Sequence, residues 1–249
     1  MEFERARGVA GAWRQVESTG STNADLVAAA ADASLPHLSV LLTRDQRAGR
    51  GRLDRVWQAP ADSALAVSVL VRVPEVPPAA RGWIPLAAGA AMAHAVAAQL
   101  PGRGVGVKWP NDVLVDGRKI CGILAEGTGD PDAVVIGSGV NTAMAAEDLP
   151  VPTATSFAAL GESCDEDALV ADYLAELDRL LGALAASGAP GVHGVVAERC
   201  VTIGREVAVS LPDGSTLRGR ARALDAEGRL LVGDRAVSAG DVVHARAVG

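Results

Sequence analysis

Residues Lys108–Glu126 read KWPNDVLVDGRKICGILAE. Two apolar runs, Val113–Val115 and Lys119–Ala125, flank Asp116-Gly117, and an Asp-Gly pair between such runs predicts a β-hairpin because glycine supplies the positive φ of the turn. Val105–Trp109 precedes it as a short strand ending at Pro110, and Ala133–Ile136 follows as another, closed by Gly137-Ser138-Gly139. Upstream, Ala64–Val73 (ALAVSVLVRV) is a strand bounded by Pro74, Pro77 and Pro78, and Ile84–Gln99 is a helix stopped by Pro101-Gly102. His37–Thr43 is a branched apolar strand before the polar loop Arg44–Asp54. Ser21-Thr22-Asn23 opens a helix over the alanine-rich run Ala24–Ala33, with Thr22 and Asp25 at capping-box spacing. Downstream, Leu169, Tyr173, Leu177, Leu180, Leu181 and Leu184 recur at helical spacing within Asp165–Ala186, and Gly188 sits at the stop. After Pro190 the texture changes to short strands and tight turns, such as REVAVSL, Pro212-Asp213-Gly214, TLRGRARAL and DVVHARAV, which suggest a small β-barrel-like unit. The fold class is therefore α+β, a mixed sheet packed with helices plus a small β unit, divided as residues 1–195 and 196–249.

Bulk properties narrow the function. A net charge of −7 over 249 residues argues against a general nucleic-acid binder, whose affinity comes mainly from phosphate neutralisation. Three scattered cysteines, Cys121, Cys164 and Cys200, read as reduced thiols of a cytoplasmic protein rather than a disulfide framework. The four histidines show no ligand spacing, so no protein-held metal site is expected. The amino terminus MEFERARGVAG is charged where a signal peptide is apolar, and no apolar run approaches the ~20 residues of a membrane span.

Four stretches could carry chemistry. In Gln46-Arg47-Ala48-Gly49-Arg50-Gly51-Arg52-Leu53-Asp54-Arg55, glycines let backbone amides approach an anion and arginines offer planar forks for phosphate or carboxylate; a plain solvated loop is the alternative. The run fits neither the Walker loop nor the dinucleotide fingerprint. Lys108–Asp112 and Lys119 place cations and amides at strand ends and a turn, where Lys119 is a ligand-reaching ammonium or an ordinary turn lysine. Gly137–Asn141 is a tight strand exit, or a flat backbone surface with the Asn141 amide reading an adenine edge. Ser18–Asn23, rich in hydroxyls and amides, caps a helix or binds a polar, uncharged ligand head.

In this order and spacing the motifs resemble biotin–protein ligases: Ser21–Asn23, Gln46 with Gly49–Arg52, Lys108–Asp112, Lys119 and Gly137–Asn141 all match the family pattern. The resemblance covers roughly residues 15–145 by motif and 204–246 by the texture of the family's SH3-like carboxy-terminal domain. It implies ATP-dependent activation of biotin, with magnesium, to biotinyl-adenylate, then transfer to a lysine of a biotin carboxyl carrier domain. It implies that Ser21, Thr22, Asn23, Gln46, Arg50, Gly51, Arg52 and Lys119 bind biotin, and that Arg50, Arg52, Trp57, Asn111, Lys119 and Asn141 bind ATP. Arg50, Arg52 and Lys119 are the expected catalytic set, and the glycine–arginine loop is expected to order over the adenylate. Asp54 departs from the family's commoner continuation of that loop and puts its closing conformation in question. The Ser21–Asn23 turn lies too near the amino terminus for a preceding helix-turn-helix, so the monofunctional type is expected rather than a DNA-binding repressor. A lipoate-transferring relative and a non-enzymatic biotin-binding module are the rival readings.

Overall fold

The computed structural model describes residues 2–52, 55–211, 213–238 and 240–244; Asp54 and the end of the last expected strand lie outside the described residues. The chain opens with helix α1 (Glu4–Val9) and strand β1 (Ala12–Gln15), both too short to show a period in sequence. The Asp167 carboxylate seats α1 by accepting from the Arg5 and Ala6 amides at 3.1 and 2.9 Å. Helix α2 (Thr22–Ala29) follows, but Thr22 and Asp25 do not form the expected capping box. Ser21 is the cap, accepting from the Ala24 amide at 3.3 Å, and Asp25 instead accepts from the Thr19 hydroxyl. Thr22 is thereby inside the first turn, with its hydroxyl available to the sheet beneath.

Strand β2 (Ser39–Thr43) leads into the polar segment read as a loop, which contains a small antiparallel ribbon, β3 (Gly49–Arg50) against β4 (Val56–Trp57). Strand β5 (Leu65–Arg72) and helix α3 (Ile84–Gln99) match their expected spans. Helix α3 is buried on nearly every side, as an alanine-rich helix without a polar face must be. Strands β6 (Val105–Lys108), β7 (Asp112–Val115), β8 (Arg118–Gly127) and β9 (Ala133–Val140) come next. Asp116 and Gly117 make the β7–β8 turn with φ of 49° and 79°. The Gly137-Ser138-Gly139 run is not the strand exit expected of it. Strand β9 continues through it, because both glycines carry full ladder pairing to β5 and β8 while leaving space on one face. Helix α4 (Glu166–Ser187), capped by Asp165 and stopped at Gly188, precedes α5 (Ala189–Arg199), which holds Pro190 in its first turn, where the missing N–H is harmless.

The main sheet has the order β1-β2-β5-β9-β8-β7-β6, parallel only between β1 and β2. Alternation divides its faces. Val67, Val69 and Val71 of β5 join the core of α3 and α4, whereas Leu70 meets Leu26 and Ala30 of α2 on the other face. The second unit comprises β10 (Glu206–Ser210), β11 (Thr216–Leu224), β12 (Leu230–Val232), β13 (Arg235–Val237) and β14 (Asp241–His244). It is an antiparallel sheet of order β13-β12-β11-β10-β14 that stays open among the described residues.

Two buried tryptophans join the units. The Trp83 indole donates to the Ala226 carbonyl at 2.8 Å and the Trp109 indole to the Gly228 carbonyl at 3.1 Å. The Trp109 amide donates to the Thr202 hydroxyl at 3.0 Å, and Thr202 is fully buried. Thr202→Val keeps the shape and orphans that amide, so it is expected to lower unfolding free energy by about 1–3 kcal/mol. A urea midpoint equal to that of the unaltered chain would show that the bond contributes nothing.

Candidate active site

The α2 face of the sheet, the β3–β4 ribbon and β14 enclose a cleft of about 440 Å³. Ser21, Thr22, Asn23, Gln46, Arg50, Gly51, Arg52, Trp57, Asn111 and Lys119 all line it. Asn141 does not: its Nδ2 donates to the Thr155 carbonyl at 2.9 Å and its backbone N–H to the Ile120 carbonyl at 2.9 Å.

One end of the cleft is polar and uncharged. The Thr22 amide and hydroxyl both donate to Gln46 Oε1, at 2.9 and 3.0 Å. The Ser68 hydroxyl, wholly buried on β5, is shared between Thr22 Oγ1 at 2.7 Å and Asn23 Oδ1 at 2.6 Å. The glycines of β9 make this end possible. A Cβ at Gly137 would collide with the Asn23 carboxamide, and one at Gly139 would stand 2.6 Å from the Trp57 ring. The lid ribbon therefore rests directly on the sheet. Ser68 escaped the motif reading, although a lone hydroxyl inside the apolar run of β5 is a legible signal.

The other end gathers charge. Lys119 Nζ stands 2.6 Å from Asp112 Oδ1, and Lys108 Nζ stands 3.8 Å from Asp112 Oδ2. Opposite β7, Val113 faces Cys121 and Leu114 faces Lys119, which leaves Ile120 as an extra residue. Such a bulge re-aims its neighbours, and Gly122 lets the Lys119 ammonium lie over the strand, 3.1 Å from where a Cβ would be. Arg52 Nη1 donates to Asn111 Oδ1 at 3.1 Å, and Asn111 Nδ2 donates to the Ile123 carbonyl at 2.9 Å. Burial pulls the Lys108 ammonium and the Arg52 guanidinium below their ordinary pKa values, while Asp112 opposes the shift in both. Arg55, which also lines the cleft, pairs with Asp241 of β14. Lys108, Lys119, Arg52 and Arg55 thus outnumber Asp112 and Asp241, an arrangement that receives anions.

The two loop arginines part company. Arg52 turns into the cleft, whereas Arg50 Nη2 donates to Glu126 at 2.8 and 3.1 Å. Sequence reasoning missed Glu126 and Asp241, which no spacing sets apart from surface charges, and held Arg55 only as the last residue of the glycine–arginine stretch. Burial raises the Cys121 thiol beside Lys119 to about 12, so it is unreactive as a nucleophile at neutral pH. Among the described residues no group of three or more acidic, histidine or cysteine side chains could hold a metal ion, and no helix is long and apolar enough to cross a membrane.

Comparison with known proteins gives the same direction. The family described as the biotin/lipoate A/B protein ligase family matches residues 16–141, and the biotin protein ligase C terminal domain matches residues 202–245. A biotin–(acetyl-CoA-carboxylase) ligase of Mycobacterium tuberculosis is 44% identical over 250 residues, covering 96% of this chain and 92% of the relative. The fold is shared with the biotin protein ligase from Aquifex aeolicus solved with biotin and ATP, at a TM-score of 0.79 and 21% identity, over 95% of this chain and 100% of that one. It is also shared with the Leishmania major biotin protein ligase solved with biotinyl-5-AMP, at a TM-score of 0.62 and 24% identity, over 95% and 99% of the two chains. With a cleft uncharged at one end and cationic at the other, and with relatives matched along nearly the whole chain, this protein belongs to the biotin/lipoate A/B protein ligase family.

Proposed function

We propose that the chain is a biotin–protein ligase, activating biotin with ATP and passing it to a lysine of a biotin carboxyl carrier domain. The observation that carries the reading is the division of one cleft into an uncharged hydrogen-bonding end and a cationic end. Biotin has the same division, a neutral ureido ring and a carboxylate. The ring meets Ser21, Thr22, Asn23 and Gln46, and the carboxylate points toward Arg52 and Lys119.

In the first step a carboxylate oxygen bonds to the α-phosphorus and the bond to pyrophosphate breaks. Two anions approach each other, so fixed cations stabilise the transition state more than anything else can. Lys119 and Arg52 serve there, with Asn111 holding the Arg52 fork and Gly51 giving its backbone room. Trp57, seated on Gly139, forms an aromatic wall for the adenine, and Asn141, outside the cleft and bonded to Thr155, takes no part in holding it. Magnesium would arrive with ATP and would supply charge neutralisation at the phosphates. The donor set here fits an ion held by nucleotide and water, because Asp112 is already committed to two lysines. In the second step the carrier lysine's amine attacks the acyl carbon and AMP leaves, on an enzyme we place in the cytoplasm.

The division into 1–195 and 196–249 would cut α5, so in this reading the boundary lies after that helix ends at Arg199 and before the carboxy-terminal sheet begins at Glu206. That open sheet, with its register shift between Ala221 and Ala223, is this chain's counterpart of an SH3-like carboxy-terminal domain. Incubation with biotin, MgATP and a biotin carboxyl carrier domain, followed by intact-mass analysis, is expected to add one biotinyl group to the carrier. Addition of a lipoyl group from lipoate instead, or no transfer at all, would overturn the assignment.

A further inference from the structure

The chain carries two lysines, Lys108 and Lys119, against 21 arginines, and both lysines line the cleft. Apart from four histidines, every other basic side chain is an arginine, whose guanidinium stays protonated and is no nucleophile at neutral pH. That distribution matters to a protein whose intermediate is an acyl-adenylate. Such a mixed anhydride acylates amines, so an exposed lysine on the enzyme itself is a target. Here the side-chain amines lie only at the cationic end of the cleft, where the activated acyl group forms. A lysine placed to receive the carboxylate in the first step is placed beside the acyl carbon once that step is done. What separates these amines from the carrier lysine is charge, because an ammonium has no lone pair with which to attack. Lys119 Nζ stands 2.6 Å from Asp112 Oδ1 and Lys108 Nζ 3.8 Å from Asp112 Oδ2, so one carboxylate favours the charged form of both. Poor access does not protect Lys119, whose side chain is 42% exposed. For Lys108, burial and the neighbouring charges of Lys119 and Arg55 favour the neutral amine, and Asp112 acts the other way.

We propose that Asp112 is a positioning residue that guards the enzyme against its own intermediate. It keeps Lys108 and Lys119 charged beside the biotinyl-adenylate, so the chain, bare of other lysines, yields the acyl group only to an amine that a partner supplies. The step it prevents is simple. A neutral Nζ would bond to the acyl carbon, the bond from that carbon to the phosphate oxygen would break as AMP leaves, and the Nζ proton would pass to water. The result would be a biotinyl amide on a lysine of the cleft, one of which the first step needs. The guard rests on the biotin–ligase reading of the cleft.

The test adds synthetic biotinyl-adenylate to the full chain, so that a variant unable to make the intermediate is still read, with polylysine in the same tube as a reactive standard. Peptide mapping by mass counts biotinyl groups at each lysine. In the unaltered chain Lys108 and Lys119 should stay unmodified while polylysine is acylated. Asp112→Asn keeps the shape and removes the charge, and should raise acylation at Lys108 or Lys119 about tenfold or more, the change in free amine that one pKa unit brings. Val56→Lys sets an amine at the cleft mouth, where Val56 is 70% exposed, and should be acylated at position 56 with Asp112 intact. That variant covers the case in which the asparagine variant does not fold. Acylation of Lys108 or Lys119 in the unaltered chain at the rate of polylysine, no gain in a folded Asp112→Asn, or an inert side chain at position 56 would each overturn the guard. Failure of the unaltered chain to form adenylate from biotin and MgATP would instead overturn the ligase reading, whatever the added adenylate does.

Discussion

Lys119→Ala is expected to slow biotinyl-adenylate formation about 10²–10³-fold, the usual loss when one fixed electrostatic partner of a transition state is removed. The ammonium is aimed rather than merely nearby: a bulge opposite Leu114 re-aims it, Gly122 makes room beneath it, and Asp112 holds it at 2.6 Å. Its side chain is 42% exposed, so its removal costs little packing and the thermal midpoint should barely move. Asp112 loses its nearer cation but keeps Lys108, which limits the damage to the local field. The loss should therefore appear in kcat for pyrophosphate release more than in the biotin KM. A variant that forms adenylate at a near-normal rate would remove Lys119 from the chemistry.

Arg52→Ala should leak the adenylate as well as slow its formation. The Arg52 guanidinium reaches inward from the lid to Asn111, so it ties the lid to the sheet. A hydrogen bond to a charged group is worth about 1.5–3 kcal/mol, which corresponds to a rise in release of roughly 10- to 150-fold. Free adenylate is a mixed anhydride open to water and to any amine. Filtered reaction mixtures should contain it, and bystander lysines should gain biotin. Retention as tight as in the unaltered chain would mean that the lid closes without Arg52.

Much of this was legible before any coordinates. The Asp-Gly hairpin, the long strand β5, helix α3 and the leucine periodicity of α4 announce themselves because each repeats a local rule over many residues. Helix α1 and strand β1 are too short for any period to emerge. Pro190 reads as a boundary because proline usually breaks helices, but in α5 it occupies the first turn, the one place where it does not. The glycines of β9 read as a strand exit or as a flat backbone surface, and the second holds: Asn23 and the Trp57 ring fill the space they leave. The site followed the same division. Residues within contiguous motifs were found, whereas Ser68, Glu126 and Asp241 matter only through partners distant in sequence.

The tryptophan anchors also bear on the order of assembly. Trp109 adjoins Asn111 and Asp112, yet the groups that hold it lie 93 and 119 residues further along the chain, at Thr202 and Gly228. Contacts closed over so long a loop form late, because the entropy of closure must be met before they contribute anything. During synthesis from the amino terminus, the lid, the ring-binding face and Lys119 all emerge first. Asn111 itself can be set early, by its bonds to Ile123 twelve residues on, but Trp109 gains its last two partners only when residue 228 has left the ribosome.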